Sequence, residues 1–104
     1  MTPTPRTLPI TFQQEAIVSL CQQHHIRKLA LFGSVLRQDF HPDSDVDILV
    51  EFEPGHIPGF DFIDIQDKLS EIIGRTIDLN TPQDLSRYFR EQVLAEAKEI
   101  YVKA

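Results

Sequence analysis

The amino-acid sequence predicts an α+β fold, an α/β sandwich in which a small mixed sheet carries helices mainly on one face. Three patterns predict this fold: apolar residues at helical spacing, an alternating strand-like segment, and the order helix, strand, strand, helix, strand, helix. The 104 residues suffice for one hydrophobic core. We therefore expect a single domain at 11–104, preceded by a proline-rich, flexible lead-in at 1–10.

The first half of the chain contains one predicted helix and two predicted strands. Apolar residues at helical spacing predict an amphipathic helix at about 11–25. A buried strand, "RKLALF", follows and ends at Gly33 and Ser34. The second strand, at about 46–52, alternates apolar and acidic residues, which predicts one face on the core and one polar face.

The second half predicts two further helices separated by a short strand. Apolar spacing indicates a helix at about 61–73, closed by Gly74 as a left-handed C-cap. The segment "RTIDLN" is typical of a strand with Asp78 on its polar face. Thr81 as N-cap and Pro82 at the first helical position then predict a helical region that reaches about Lys98 and breaks near 87–90.

Composition excludes several classes of protein. The formal net charge of −6 argues against a general nucleic-acid binder, which needs a basic face. The sequence contains no apolar run long enough to span a bilayer and no signal peptide, so we expect a cytoplasmic protein without membrane contact. The single cysteine, Cys21, falls on the apolar side of the first helix, which favours a buried, inert thiol.

Six carboxylates lie between positions 39 and 53 without a lysine or arginine among them. Like charges so close repel one another, so a folded chain that keeps them together normally brings in a cation. Asp45 and Asp47 lie two residues apart at the start of a strand and therefore point to the same side. Asp78 completes a candidate three-carboxylate set for two divalent cations, the usual arrangement in phosphoryl or nucleotidyl transfer.

The candidate nucleotide-binding residues flank this acidic cluster. Gly33 and Ser34 follow a strand end, where free backbone N–H groups favour phosphate and glycine permits close approach. Arg37 either neutralises a phosphate or braces the acidic loop by pairing with Asp39. We include Ser44, directly before the first aspartate, in the same nucleotide-binding set.

The spacing from Gly33-Ser34 to Asp45-Val46-Asp47 resembles the defining motif of the DNA polymerase beta-like nucleotidyltransferase superfamily. The segments "DSDVDILVEF", "GFDFIDIQDKLSEIIGR" and "IDLNTP" are similar to its minimal nucleotidyltransferase (MNT) branch, the antitoxin partner of HEPN toxins. The resemblance implies a nucleotidyltransferase-like fold and two Mg ions bound by Asp45 and Asp47. It also implies that Gly33 and Ser34 hold the triphosphate, and that Asp78 binds one metal and helps to deprotonate the acceptor hydroxyl.

The same resemblance implies an activity and a partner. The expected reaction transfers AMP from ATP to a tyrosine of a HEPN ribonuclease toxin, which forms a hetero-oligomer with this chain and is silenced. About 100 residues leave little room for an acceptor-binding domain, so the acceptor is expected on another protein. Two alternatives remain: an antitoxin that neutralises its partner by binding alone, and nucleotidyl transfer to a small molecule or an RNA end.

Other polar residues have simpler interpretations. We expect Glu51 and Glu53 to be solvated strand positions and not metal ligands. The four histidines, His24, His25, His41 and His56, show no metal-ligand spacing and are interpreted as surface or loop residues. Tyr88 and Tyr101 are interpreted as packing residues, with self-modification as the alternative.

Overall fold

A computed structural model describes residues 12–36, 45–56, 59 and 61–103 of the chain. The predicted lead-in at 1–10 lies outside the described residues. Three helices, four strands and two short 3-10 turns follow in chain order: α1 (Gln14–Gln23), β1 (Ile26–Phe32), the first turn (Gly33–Leu36), β2 (Val46–Phe52), α2 (Asp61–Ile73), β3 (Ile77–Asn80), the second turn (Pro82–Asp84), α3 (Arg87–Glu96) and β4 (Lys98–Val102).

The four strands form one mixed sheet in the order β3-β2-β1-β4. β1 pairs antiparallel with both β2 and β4, whereas β2 pairs in parallel with β3. The parallel pair is joined through α2, because parallel neighbours need a crossover connection. The predicted small mixed sheet of a nucleotidyltransferase-like fold is confirmed.

The main core lies between the sheet and the pair α1 and α2, which contact each other. From β2, Val46, Ile48 and Val50 are fully buried, as their alternation predicts. Ile65 and Leu69 of α2 contribute to the same core. Burying each such aliphatic side chain stabilises the fold by about 1.5–3 kcal/mol relative to exposure.

The opposite, polar face of the sheet is not open along its whole length. Leu49 of β2 and Ala30 of β1 lie outside the main core cluster and are also buried. The second 3-10 turn contacts β2. The face predicted to be uncovered is therefore partly shielded.

The sequence predicts the central elements well and the C-terminal region poorly. The bounds of β2 and α2 agree with the prediction, and Gly74 follows α2 with a φ of +76°. The predicted helical region after Thr81 is present and interrupted, but the break lies at 85–86, before the predicted 87–90, because Thr81 and Asp84 form a capping box on a three-residue turn and α3 begins at Arg87. The chain then ends in β4, which pairs with β1 and was not predicted.

Among the described residues, none of the helices is both long and apolar enough to cross a membrane.

Candidate active site

Asp47 lies at the start of β2 in the middle of the sheet. Its register neighbours are Phe32 at the end of β1 and Asp78 on β3. Register neighbours on parallel strands lie about 4.8 Å apart and point to the same side of the sheet. The predicted strand of Asp78 therefore lies beside β2, and the two carboxylates lie on one face of the sheet.

Gly33 lies directly against the Asp47 carboxylate. A Cβ atom on Gly33 would lie 2.3 Å from Asp47 Oδ2, closer than any real contact allows. Gly33 also has a φ of +77°, a conformation that side chains with a Cβ rarely adopt. Two features therefore favour glycine at position 33: the left-handed backbone conformation and the adjacent carboxylate of Asp47.

Asp45 and Asp78 are exposed, whereas Asp47 is half-buried. Within the described part of the chain, neither Asp45 nor Asp78 makes a side-chain ion pair or hydrogen bond. Carboxylates without a cation partner offer hard oxygen donors, which suit a magnesium ion. The residues present therefore fit the predicted metal.

The remaining predicted nucleotide-binding residues are only partly described. Ser34 belongs to the first 3-10 turn by its backbone. Arg37 and Ser44 lie outside the described residues, as does Asp39, so the predicted contacts of Arg37 stay predictions.

A cavity of about 960 Å³ opens beside Gly33. The end of β1 and the first turn form one wall, and α3 with its flanking residues forms the other. The lining residues are Phe32, Gly33, Leu36, Leu85, Ser86, Phe89, Gln92, Val93, Glu96, Ala97 and Lys98. The cavity is thus mainly apolar with a few polar groups, as is usual for pockets that hold a flat organic ligand.

Glu51 and Glu53 lie in exposed ion pairs, which agrees with their predicted contact with solvent. Glu51 pairs with Arg27 across the β1–β2 ladder and lies 3.7 Å from Lys28 Nζ. Glu53 Oε1 accepts a hydrogen bond from Lys103 Nζ at 2.8 Å, and this lysine lowers the pKa of Glu53. Both glutamates are therefore neutralised by cations from neighbouring strands or the chain end.

Cys21 and the histidines also have defined positions. Cys21 is buried, and burial raises the pKa of its thiol to about 12, so the prediction of an inert thiol is confirmed.

His25 and His56 are exposed as predicted, but the His24 side chain is only 13% exposed. The structure brings His25 and His56 together with Glu53, a grouping that sequence spacing does not reveal because the residues lie far apart in the chain. His41 lies outside the described residues.

Fold and acidic site together define a nucleotidyltransferase. Residues 15–104 match the family described as "Polymerase beta, Nucleotidyltransferase", and the chain belongs to that family. The resemblance predicted from the Gly-Ser and Asp-x-Asp spacing is thereby confirmed.

The chain is similar to three proteins of more specific description. The protein adenylyltransferase MntA of Thermococcus cleftensis is 36% identical over 80% of this chain and 81% of its own length. The solved structure of a proposed minimal nucleotidyltransferase is 38% identical, with a TM-score of 0.67 over 81% of this chain and 85% of that one. A tri-AMPylated HEPN toxin of Shewanella oneidensis in complex with an MNT antitoxin contains a chain of the same fold. That chain is 20% identical, with a TM-score of 0.60 over 86% of this chain and 70% of that one.

Proposed function

We propose that this chain is a Mg-dependent protein adenylyltransferase that transfers AMP from ATP to a tyrosine hydroxyl of a partner HEPN toxin, and thereby acts as its antitoxin. The observation that carries the proposal is the in-register pair of Asp47 and Asp78 beside Gly33. A scaffold protein has no physical need for two like charges on adjacent strands, because they repel one another.

Asp45, Asp47 and Asp78 are the residues that would hold two Mg ions. Bound there, the ions would supply charge neutralisation for the attacking and leaving oxygens of the displacement. Asp45 and Asp47 lie two positions apart along the chain, and Asp78 lies across the ladder from Asp47. Asp47 and Asp78 come from two paired strands, so the sheet fixes the spacing of these two donors, and Asp45 directly precedes β2.

The proposed reaction is an in-line displacement at the α-phosphate of ATP. The tyrosine oxygen forms a bond to this phosphorus, the bond from the α-phosphorus to the bridging oxygen breaks, and pyrophosphate leaves. Asp78 is exposed and makes no side-chain ion pair within the described residues, so it is available to accept the phenolic proton. Gly33 and Ser34 bind the triphosphate through backbone N–H groups, and Arg37 and Ser44 add donors to its oxygens.

The cavity beside Gly33 is the proposed site of the adenine ring. Phe32 and Leu36 supply apolar surface on one side, and Phe89 and Val93 of α3 supply it on the other. Gln92 and Ser86 offer hydrogen-bonding groups at the same wall. A purine in this cavity would place its phosphates toward Gly33 and the aspartates.

The partner is proposed to contact the surface around α3. Tyr88 is 82% exposed and Phe89 is 61% exposed, so the predicted packing role of Tyr88 is wrong. Exposed aromatic side chains are enriched at protein interfaces. This surface equally supports the second candidate function, an antitoxin that acts by binding alone, and the experiment below separates the two. We place either function in the cytoplasm, where ATP is available.

The test is the intact mass of the HEPN partner that co-purifies with this chain. The complex is incubated with ATP and Mg²⁺, using the natural sequence, Asp47→Asn, and Asp67→Asn as a matched control on exposed α2. We expect mass gains in AMP units with the natural sequence and the control, and none with Asp47→Asn. The variant should remain folded, because it removes one like-charge repulsion.

Two results would contradict the proposal. If the partner gains no mass with any of the three chains but stays bound and inactive, the chain acts by binding alone. If Asp47→Asn transfers AMP as fast as the control, the acidic site does not carry the chemistry.

A further inference from the structure

Two imidazoles and a carboxylate meet at the end of the β1–β2 ladder opposite the aspartates. His25 precedes β1, and Glu53 and His56 follow β2. Each offers one ligand atom, and these atoms all lie within 4.8 Å of one another. Glu53 is six residues beyond Asp47 along an extended strand, which places this cluster about 20 Å from the active-site aspartate.

Backbone hydrogen bonds hold the three residues in place. The Glu53 N–H donates to the His25 carbonyl at 2.8 Å, and the His56 N–H donates to the Glu53 carbonyl at 3.0 Å. His25 has a φ of 56°, the left-handed region that non-glycine residues occupy uncommonly. Such conformations persist only where the surrounding structure enforces them. The backbone that carries the three residues is therefore fixed by contacts within the fold.

The two imidazole rings lie against each other, and the carboxylate of Glu53 is held by Lys103. The rings of His25 and His56 stack with centroids 3.9 Å apart and planes 10° apart. Lys103 lowers the pKa of Glu53, which keeps its carboxylate ionised at neutral pH.

A second observation lies in the adjoining cavity. A space of about 240 Å³ is bordered by His24 as well as by His25 and His56. The His24 Nε2 atom is buried and has no hydrogen-bond partner among the described residues. Its Nδ1 lies 3.9 Å from Asp61 Oδ2. A buried nitrogen without a hydrogen-bond partner is costly, and this one belongs to a residue that borders the same cavity.

We propose that His25, Glu53 and His56 form a binding site for a divalent transition-metal ion of the zinc class. Two imidazoles and one carboxylate are typical zinc donors, whereas Mg²⁺ prefers oxygen donors alone. Ligand nitrogens on one zinc ion lie about 3.4 Å apart, given bond lengths of about 2.0–2.1 Å and tetrahedral geometry. One exposed ring must turn out of the stack so that both lone pairs converge on the ion. Bound metal would then join the turn before β1 to the loop after β2.

The test is a titration of the untagged chain with Zn²⁺ in the presence of excess Mg²⁺, which saturates the aspartate site. Binding is followed by the imidazole ¹⁵N resonances and by the midpoint of thermal unfolding. Two variants remove one ring each: His56→Gln, and His25→Asn, which tolerates the left-handed conformation. Asp47→Asn is the control that alters only the aspartate site. The absence of Zn²⁺ binding can therefore be distinguished from a failure of the adenylyltransferase proposal.

We expect the His25 and His56 resonances to shift together at one equivalent of Zn²⁺ and the unfolding midpoint to rise. Each ring variant should weaken Zn²⁺ binding about tenfold or more, while Asp47→Asn leaves it unchanged. Lys103→Gln should tighten binding, because it frees the Glu53 oxygen that Lys103 now occupies. Unshifted His25 and His56 resonances, or Zn²⁺ binding that both ring variants retain in full, would overturn the proposal.

Discussion

The two ends of β2 carry acidic residues in opposite electrostatic settings. At the C-terminal end, Glu51 pairs with Arg27 and Glu53 pairs with Lys103. At the N-terminal end, within the part of the chain that the structure describes, Asp45 and Asp78 make no ion pair. The fold therefore supplies cations for Glu51 and Glu53 at one end of β2, whereas Asp45 and Asp78 at the other end have none among the described residues.

The difference explains why a run of acidic residues without internal cations is compatible with folding. The cations for Glu51 and Glu53 come from β1 and from the end of β4, far away in sequence but adjacent in the sheet. Both ion pairs are exposed to solvent, so they balance local charge more than they stabilise the fold. Asp45 and Asp78 make no such ion pair among the described residues, and the proposed magnesium site uses carboxylates of this kind.

The largest effect on the aspartate end of β2 is expected from a substitution of Gly33. Gly33→Ala would place a Cβ atom 2.3 Å from Asp47 Oδ2 and displace that carboxylate. We expect AMP transfer to fall about a hundredfold, because a misplacement of about 1 Å has that effect on a reacting geometry. Both the transfer rate and the free energy of unfolding should be measured.

Gly74→Ala is the matched control for that change. Gly74 has nearly the same φ, +76°, but a Cβ atom there would meet nothing within 4 Å. Both variants should lose about 1–2 kcal/mol of stability from the left-handed backbone. Only Gly33→Ala should lose transfer, and equal activity in the two variants would refute the contact with Asp47 as the cause.

A smaller, pH-dependent effect on stability is expected at the C-terminal end of β2, where the glutamates are ion-paired. Lys103 lowers the pKa of Glu53 from its ordinary value of 4.5, with smaller contributions from His25 and His56 in the same direction. A lowered pKa in the folded state stabilises the protein above the unfolded pKa, and this stabilisation disappears as pH falls through the folded pKa. Lys103→Gln should therefore lower the unfolding midpoint at neutral pH, and the difference from the natural sequence should shrink below pH 4.5. A difference that stays constant across this range would show that the ion pair is not its source.

Much of the fold follows from local patterns in the sequence. Alternation at 46–52 and helical spacing at 61–73 yield β2 and α2 with the observed bounds, because their buried faces are continuous. Alternation also predicts the short strand around Asp78, whereas its parallel pairing with β2 is revealed only by the structure. These predictions succeed because one strong period decides each element.

The missed features all depend on contacts between distant segments. The segment at 98–102 follows a helical run, and it becomes β4 because β1 offers it a free edge. His25 and His56 come together only through the antiparallel register of β1 and β2, which no spacing rule reveals. Likewise, the cations that neutralise Glu51 and Glu53 cannot be assigned before the sheet order is known.

The most direct test of the contrast between the two ends of β2 removes the charge of one carboxylate at each end by substitution. Asp45→Asn and Glu51→Gln change residues of the same acidic run, one exposed without an ion pair in the described structure and one held by Arg27. AMP transfer to the HEPN partner should be measured for both complexes under the same ATP and Mg²⁺ concentrations. We predict that Asp45→Asn loses transfer by about a hundredfold or more, the scale for removing a group that stabilises transition-state charge, while Glu51→Gln keeps the natural rate. Equal losses in the two variants, or a retained rate in Asp45→Asn, would contradict the assignment of the chemistry to the aspartate end of β2.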